Sequence, residues 1–312
     1  MASSTLTSRA GGARFRAVMA HYLDPKGDIP FRKVFGKHKD LCISLLNALL
    51  PVEAGRHVAD IEFRANDVFS VFDGGKNTIA DIYCVDDQGR KFLVEMQMFW
   101  TDEFKRRVLF NASKAYISEL AEGDKFDRLK PVYSLNLLAE SFEKTPEMAD
   151  EYYHYYRHVN IRHPDRQIEG LELVFVELPK FKPANRAETK LRDLWLRYLT
   201  AIKEGAEEVP PDLLADPRTS LAVKLLEQSA YSREELLAKD RFWDWVSCQR
   251  TLITGSFREG MSTGMAQGLA QGRLEGERRQ QFEIARQMKR ENFPADAIAR
   301  ITKLSAEEIA RL

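Results

Sequence analysis

The chain has 312 residues, of which 44% are hydrophobic and 30% are charged, as is usual for a globular protein with a full core and a second subdomain. Its 47 basic and 47 acidic residues cancel, so overall charge gives no support for nucleic-acid binding, and any contact with DNA must come from a local patch. The three cysteines are scattered and form no CxxC pair, which argues against a zinc site or a disulfide framework. No apolar run reaches the ~18 residues that a membrane span needs. We therefore expect a cytoplasmic protein.

The N-terminal part predicts one helix and one strand. Residues 1–23 have the composition of a flexible leader, rich in Ser, Ala, Gly and Arg. Residues 28–50 place apolar side chains at helical spacing, and Pro51 predicts the end of that helix. Residues 61–72 alternate in part and predict a strand, after which Asp73-Gly74-Gly75 predicts a turn.

A β-hairpin follows that turn. Its first strand is predicted to begin near Thr78, and Asp87-Gln88-Gly89 predicts the tight turn. The return strand runs through Phe92-Leu93-Val94 to Gln97. Because antiparallel pairing brings the two open ends of a hairpin together, we expect the carboxylates of Asp81 and Glu95 to be neighbours.

Side chains alternate along a strand, so Glu95 and Gln97 are predicted to face one side of the sheet and Met96 the other. Two carboxylates and an amide would then converge at one sheet edge. Such an arrangement can hold a hard divalent cation against a phosphodiester. The alternative is that Asp81 and Glu95 are surface acids paired with nearby cations, although a carboxylate in so apolar a setting needs a strong partner.

The sequence after the hairpin alternates between helix and strand. Thr101 is a plausible N-cap of a helix that is predicted to run to about Glu122 and to end at Gly123. Residues 131–138 and 171–178 have the pattern of strands. The alternation predicts an α/β (α+β) fold, with a mixed sheet flanked by helices and a C-terminal helical extension.

A tyrosine-rich stretch lies between these two strands. Residues 152–156 could stack on nucleic-acid bases, or they could pack in the core or at an interface. We favour packing, because aromatic side chains dominate both cores and interfaces. His154 and His158 have the spacing of helical metal ligands, but no third ligand accompanies them.

The C-terminal part is predicted to be helical. Residues 185–250 have mostly helical patterns, and 277–290, 295–301 and 305–312 form three further helical segments. The last of these begins with Ser305 and Glu308, which fit a capping box. This end of the chain could contact DNA, or it could serve in packing or dimerisation.

Glycines recur at a strict period of four in residues 260–276. Five helical glycines cost roughly 4–5 kcal/mol relative to alanine, so an isolated helix of this composition is unfavourable. Either a second helix packs closely on the glycine stripe, or the segment is a flexible tether. We favour the first alternative, with a homo-oligomer formed through residues 260–276, and the charged residues in this region argue against a membrane span.

Several segments occur in an order that is typical of one nuclease family. They are Asp28-Ile-Pro-Phe31-Arg-Lys-Val-Phe35-Gly36, Ile79-Ala-Asp81, Val94-Glu95-Met96-Gln97, Arg106 and Arg107 with Tyr116, Leu129-Lys-Pro131-Val, Glu177-Leu-Pro-Lys180-Phe and the glycine repeat with Leu304-Ser-Ala-Glu-Glu-Ile309. On these segments the chain resembles the PD-(D/E)XK nuclease superfamily. More narrowly, it resembles the bacterial recombination-promoting nuclease and putative transposase family over residues 24–312.

The resemblance implies metal-dependent cleavage of DNA in the bacterial cytoplasm. Asp81 and Glu95 would bind Mg²⁺, or Mn²⁺ in its place, with help from the Met96 carbonyl. Gln97 stands where the superfamily has a catalytic lysine, and its neutral amide can orient water only by hydrogen bonds. More of the chemistry would then fall on the metal. The resemblance makes Asp28 a further candidate to approach the metal, and helix capping is the alternative explanation of this residue.

The helix after the hairpin would supply the contacts to DNA. Arg106 and Arg107 follow the predicted acids, and Tyr116 lies ten residues after Arg106, close to three helical turns, so they could share one face. Arginine side chains next to a metal site are well placed to contact the phosphates of DNA. Without the neighbouring acids, a solvated helix face would explain them.

The sequence therefore predicts a Mg²⁺-dependent DNA endonuclease that is associated with recombination or mobile elements. Its predicted parts are a leader at 1–23, a restriction-endonuclease-like core at 24–180, a helical subdomain at 181–255, and a glycine-repeat helix with a helical tail at 256–312. The first alternative is a decayed nuclease core that binds DNA without cutting it. The second is an assembly protein in which the glycine helix and the tail do the essential work.

Overall fold

The computed structural model describes residues 21–51, 56–65, 80–118, 120–121, 123–183 and 190–312. The chain divides into two compact units, Met1–Trp243 and Asp244–Leu312. The predicted leader up to residue 20, the strand beyond residue 65, the Asp73-Gly74-Gly75 turn and the strand start at Thr78 lie outside the described residues. Among the helices described, none is long and apolar enough to cross a membrane.

The first unit is built on one six-stranded sheet with the strand order β1-β2-β3-β4-β6-β5. β3, β4 and β6 run parallel, and the other neighbours pair antiparallel. The sheet is therefore mixed and flanked by helices, which confirms the predicted fold class. The strands are β1 (Ile61–Phe63), β2 (Ile82–Asp86), β3 (Lys91–Gln97), β4 (Val132–Leu138), β5 (Tyr153–Asn160) and β6 (His163–Glu177).

Helices cover both faces of the sheet. The larger core lies under α1, α2 and α4, where Phe35, Trp195 and Tyr198 pack edge to face. On the opposite face, α3 packs over β3, β4 and β6. The helices are α1 (Asp28–Phe35), α2 (Lys39–Leu49), α3 (Asp102–Ile117), α4 (Leu191–Ala201), α5 (Pro211–Ala215), α6 (Pro217–Lys224), α7 (Arg233–Arg290), α8 (Ala295–Thr302) and α9 (Ala306–Ala310).

The predicted β2–β3 hairpin is confirmed, with Ile82 opposite Val94 and Cys84 opposite Phe92. Gly89 has φ +79°, a left-handed conformation that glycine adopts without strain, and this explains the tight turn. Asp86 stabilises the turn, because its carboxylate accepts hydrogen bonds from the backbone and from the buried Arg90 side chain, whose Nε lies 2.6 Å away. Asp86 is thus a structural residue of the hairpin turn.

The prediction of one helix over residues 28–50 is wrong, because Gly36, Lys37 and His38 separate α1 from α2. The apolar pattern contains the reason. Phe35 and Leu41 are six residues apart, which would place them about 120° apart around a straight helix. Breaking the helix allows both side chains to enter the same core.

The helix after the hairpin is shorter than predicted. α3 ends at Ile117, whereas the sequence predicts an end near Glu122, which lies outside the described residues. The Ser118 hydroxyl donates to the Ala115 carbonyl, so a side chain competes for backbone acceptors at this end. Thr101 occupies the N-cap position, but its side chain makes no capping hydrogen bond.

The predicted strands are confirmed at β4 and β6, but β6 begins eight residues before the predicted start at residue 171. The tyrosine-rich stretch is strand β5. Tyr153 donates to the Leu49 carbonyl at 2.8 Å, and the Tyr155 hydroxyl donates to Glu172. These contacts support packing as the role of Tyr153 and Tyr155.

In the second unit, α7 carries the glycine repeat within one continuous helix. Apart from its chain neighbours and the adjacent backbone of α7, a Cβ added at any of the five repeat glycines would meet no atom within 4 Å. The three helical segments predicted for the C-terminal end are confirmed: they are the last part of α7, the helix α8 and the helix α9. Ser305 and Glu308 form the predicted capping box. Ala285, Ile298, Leu304 and Ile309 form a small core among them.

Candidate active site

The mouth of the β2–β3 hairpin brings the two predicted acids together. Asp81 directly precedes β2, and Glu95 follows Val94, the partner of Ile82. The Met96 backbone N–H donates to Asp81 Oδ2 at 2.7 Å, which ties the first acid to the strand that carries the second. We call Asp81 and Glu95 the acid pair, and their metal-binding role stays a prediction.

The predicted alternation along β3 is also present in the fold. Met96 packs with the core under α1 and α2, together with Val94. Gln97 accepts a hydrogen bond from Arg107 of α3, so its side chain lies on the opposite face. Glu95 lies on that same face, because Asn111 of α3 hydrogen-bonds its carboxyl group.

Burial makes the acid pair costly to ionise. It raises the pKa of Glu95 to about 8, and the charge of Asp81 adds to this shift, while Arg107, Asn111 and Arg32 lower the pKa by smaller amounts. Burial also raises the pKa of Asp81, against the opposing effects of the Met96 N–H and Arg32. The positive charge around the pair is therefore insufficient to keep both groups ionised as easily as in water.

Arg32 of α1 connects Asp28 to the acid pair. Its Nε lies 2.6 Å from Asp28 Oδ1, although this contact is not well aligned as a hydrogen bond, and its Nη2 donates to Asp81 Oδ1 at 3.2 Å. Asp28 is the first residue of α1 and Gly27 is its N-cap, so capping does not explain Asp28. Asp28 reaches the site through Arg32, a residue that the sequence analysis missed although its i,i+4 spacing from Asp28 is a usable signal.

Gln97 is held at both ends of its amide. Its Nε2 donates to the Phe99 carbonyl at 2.7 Å, and its Oε1 accepts from Arg107 Nη2 at 2.7 Å. The Arg107 guanidinium also lies over the Phe104 ring, 4.8 Å from its centroid. The Gln97 side chain is thus fixed against a cation from α3.

The remaining predicted DNA contacts divide between two places. Arg106 lies exposed on the first half of α3, near Arg107. Tyr116 lies at the other end of α3, against Gly170, and lines a cavity of about 180 Å³ beside Gly89 at the hairpin turn. Because the turn and the acid pair are at opposite ends of β3, the structure does not bring Tyr116 to the acid pair.

Two buried asparagines border Glu95 and were missed from the sequence. Asn136 of β4 lies directly opposite Glu95 in the parallel register, and Asn111 projects from α3. The side-chain oxygen of each is buried without a hydrogen-bond partner. A polar residue between Leu135 and Leu137 of a buried strand is the signal that could have identified Asn136.

The donor set of the site suits a hard cation. Two neighbouring carboxylates with raised pKa values and two unsatisfied amide oxygens are oxygen ligands or partners for bound water. Within the described ranges, no three His, Cys, Asp or Glu side chains converge on a metal position. Mg²⁺ commonly uses only one or two carboxylates together with waters and substrate phosphates, so the acid pair fits this ion.

The Glu177 segment has a structural role at the same end of the sheet. Glu177 is fully buried at the end of β6, where Oε1 lies 2.7 Å from His154 Nε2 and 3.0 Å from Lys180 Nζ. Its Oε2 accepts from the Phe142 N–H at 3.0 Å, and Lys180 also donates to the Met148 carbonyl at 2.9 Å. These contacts of Glu177 and Lys180 hold the loop between β4 and β5 in place.

Comparison with known proteins identifies the family. Residues 25–248 match the family model of the PD-(D/E)XK nuclease family transposases. No curated protein and no solved structure matches the chain. The match includes α1, the hairpin with the acid pair, α3 and the whole sheet, and it extends over more than half of the sequence. The chain therefore belongs to the PD-(D/E)XK nuclease family transposases.

Proposed function

We propose that this protein is a metal-dependent DNA endonuclease that hydrolyses phosphodiester bonds in the bacterial cytoplasm, in association with recombination or mobile elements. PD-(D/E)XK nucleases generally use divalent metals. The observation that supports the proposal most directly is the acid pair at the hairpin mouth, on the family's core fold. Asp81 and Glu95 would hold Mg²⁺, or Mn²⁺ in its place, with Asp28 acting through Arg32 and with the Met96 carbonyl as a further candidate ligand.

The bound cation would lower the pKa of a coordinated water and offset phosphate charge. The protein's own contribution would be two partly buried carboxylates that strand pairing holds close together before any substrate arrives. A site built on strands is positioned more accurately than one built on loops. Asn111 and Asn136 add unsatisfied acceptors that can orient water next to Glu95.

Arg107 would supply the positive charge that the superfamily lysine supplies and that Gln97 lacks. Its guanidinium donates to Gln97 Oε1 and lowers the pKa of Glu95, so it acts on both residues of the return strand. Because the Arg107 side chain is exposed, it can also contact a phosphate. Arg106 beside it and Arg32 on α1 would contribute further phosphate contacts at the same edge, whereas Tyr116 would act at a distance from it.

Nicking of supercoiled plasmid DNA by the full-length protein tests this proposal. We expect nicking with Mg²⁺ or Mn²⁺ and none with a chelator. DNA binding without cutting in either metal would instead support the decayed nuclease, and it would contradict the proposed reaction. The result is interpretable without knowing the target sequence, because plasmid DNA offers many sites.

Metal binding at the acid pair should depend on pH. The raised pKa of Glu95, about 8, means that a metal competes with a proton below that pH. We expect the apparent affinity for Mg²⁺ to fall about tenfold for each pH unit below 8 and to level off above it. The rise in melting temperature caused by 10 mM Mg²⁺, measured from pH 6 to pH 9, reports this dependence. An increase that is equal at every pH would contradict metal binding by Glu95.

We also propose that α7 forms homo-oligomers through residues 260–276. Besides the glycines, this stretch exposes apolar side chains one position after successive glycines, with Met261, Met265 and Leu269 each more than 60% exposed. An antiparallel copy centred on Ala266 would place Gly264 opposite Gly268 and Glu259 opposite Arg273. The close approach and the charge pairing would offset the low helix propensity of the glycines.

Sedimentation of the full-length protein tests the self-association. Gly264→Leu with Gly268→Leu should shift the protein to the monomer, because bulky side chains keep the helices apart. The control is Ala266→Leu with Ala270→Leu, which adds the same side chains about 200° around the helix and should leave the oligomer unchanged. A monomeric wild-type protein at micromolar concentration would contradict this proposal.

A further inference from the structure

The hairpin formed by β5 and β6 extends beyond the rest of the sheet. All side chains of residues 157–169 are exposed, whereas Gly170 and the residues that follow return to the packed sheet. Irregularities in the β5–β6 register occur after Tyr156 and after Val159, within the same segment. The turn is ordered by Asn160, whose Oδ1 accepts from the N–H groups of Arg162 and His163 at 2.9 and 3.2 Å. We call residues 157–169 the β5–β6 arm.

The β5–β6 arm lies at the opposite end of the sheet from the acid pair. In the parallel register, Glu95 aligns with Asn136 and then with Phe175. Ile161 at the tip precedes Phe175 by 14 residues. At the rise of an extended strand, the tip is at most ~45 Å from the level of Glu95 along the strand direction, which is the length of ~13 base pairs of duplex.

The arm has three arginines and two acids, a net charge of +1, in a chain whose net charge is zero. It carries Arg157, Arg162 and Arg166 against Asp165 and Glu169, and Glu169 lies 3.4 Å from Arg56 of the neighbouring segment. In the part of the chain that the structure describes, neither Arg162 nor Arg166 pairs with a carboxylate. Two guanidinium groups are thus available to a polyanion.

The arm also exposes apolar side chains. Ile161 is 92% exposed and Ile168 is 78% exposed. A two-stranded ribbon without a covered face is marginally stable in water, so a binding partner that covers these side chains would stabilise it. The combination of free arginines and apolar side chains on a narrow ribbon indicates a contact surface rather than a structural extension.

We propose that the β5–β6 arm binds duplex DNA. A two-stranded ribbon has the width that enters the major groove, and arginines on it would reach the flanking phosphates. Charge favours DNA over a second copy of the chain, because a protein with zero net charge offers no general attraction for the unpaired Arg162 and Arg166, whereas a duplex does. The inference rests on the proposed function only in taking DNA as the substrate: the arm would hold the duplex at a distance from the cut.

Binding of a fluorescent 30-base-pair duplex to the full-length protein, in chelator so that no cutting occurs, tests the arm. Each phosphate that the protein neutralises adds about 0.9 to the slope of log affinity against log salt, so Arg162→Ala with Arg166→Ala should make this slope shallower by about 2. At 0.1 M salt the affinity should fall roughly tenfold per arginine. The matched control is Arg218→Ala with Lys224→Ala, two exposed cations on α6, which should change neither quantity.

A second variant separates the two parts of the proposed DNA-binding surface. Ile161→Ser should weaken binding without changing the salt slope, because it removes an apolar side chain and no charge. Arg162, Arg166 and Ile161 lie outside the core, so the melting temperatures of both arm variants should equal the wild-type value.

The outcomes distinguish the arm from the nuclease site. A double-arginine variant with wild-type affinity and slope would overturn the arm proposal, even if the protein nicks plasmid DNA. Loss of self-association in sedimentation, with DNA affinity unchanged, would overturn it as well and would assign the arm to a second copy. Arm-dependent binding in a protein that does not nick DNA would support the arm and contradict the endonuclease.

Discussion

Glu95→Gln is expected to lower Mg²⁺-dependent nicking of plasmid DNA by on the order of a thousandfold or more, because the substitution removes a proposed metal ligand without changing the shape of the side chain. Asp81→Asn should have an effect of similar size. The matched control is Asp87→Asn, an exposed acid in the turn of the same hairpin, which should nick DNA like the wild type. Activity of Glu95→Gln within tenfold of the wild type would contradict the proposed site.

The stability of the Glu95→Gln variant separates loss of the site from loss of the fold. The pKa of Glu95 in the folded protein, about 8, is above its ordinary value of 4.5, so between these values the folded state binds more protons than the unfolded state. The free energy of unfolding therefore falls as pH rises through this window. Glutamine mimics the protonated form, so the metal-free variant should melt at or above the wild-type temperature at pH 8.5. A large decrease in melting temperature would mean that the variant loses activity through misfolding.

Local patterns were sufficient to predict the centre of the proposed site. The Asp87-Gln88-Gly89 turn fixes the hairpin register, and the register makes Asp81 and Glu95 neighbours. The alternation of β3 then places Gln97 on the same face as Glu95. These relations involve residues that are close in the sequence, and the physical rules for turns and strands determine them without knowledge of the rest of the fold.

The surroundings of the acid pair could not be predicted in the same way. Arg32 reaches Asp81 across 49 positions of sequence, and Asn136 becomes a neighbour of Glu95 only because β4 pairs in parallel with β3. Such contacts depend on strand order, which no local pattern in this chain specifies. The β5–β6 arm was missed for a related reason, because its polar sequence resembles a loop and lacks the alternation of a half-buried strand.

The acid pair and Glu177 lie near the same end of the sheet and illustrate opposite uses of a buried charge. The acid pair has raised pKa values and borders two unsatisfied amide oxygens, so the proposed cation would add favourable contacts there. Glu177 is buried more deeply, but His154, Lys180 and a backbone N–H satisfy both of its oxygens. An incomplete environment suits binding, and a complete one suits structure. The contrast assigns Glu177 to the fold and not to catalysis.

Glu177→Ala is therefore expected to destabilise the protein by about 3–5 kcal/mol, because it leaves His154 and Lys180 without their buried partner. This is a large part of the usual stability of a globular protein. Urea unfolding at pH 7 measures the effect. Glu147→Ala in the same loop is the matched control, and since Glu147 is exposed it should change the stability by less than about 0.5 kcal/mol.

Glu177→Gln refines this test. The amide keeps the shape of the side chain and can still accept hydrogen bonds, but it removes the negative charge opposite Lys180. We therefore expect the free energy of unfolding to fall by more than in the Glu147→Ala control and by less than in Glu177→Ala. If Glu177 instead served in the reaction, the glutamine variant would keep its stability and lose its nicking activity. A loss of stability that parallels the loss of activity in both variants would confirm that Glu177 holds the β4–β5 loop, and it would leave the acid pair as the reactive carboxylates at this end of the sheet.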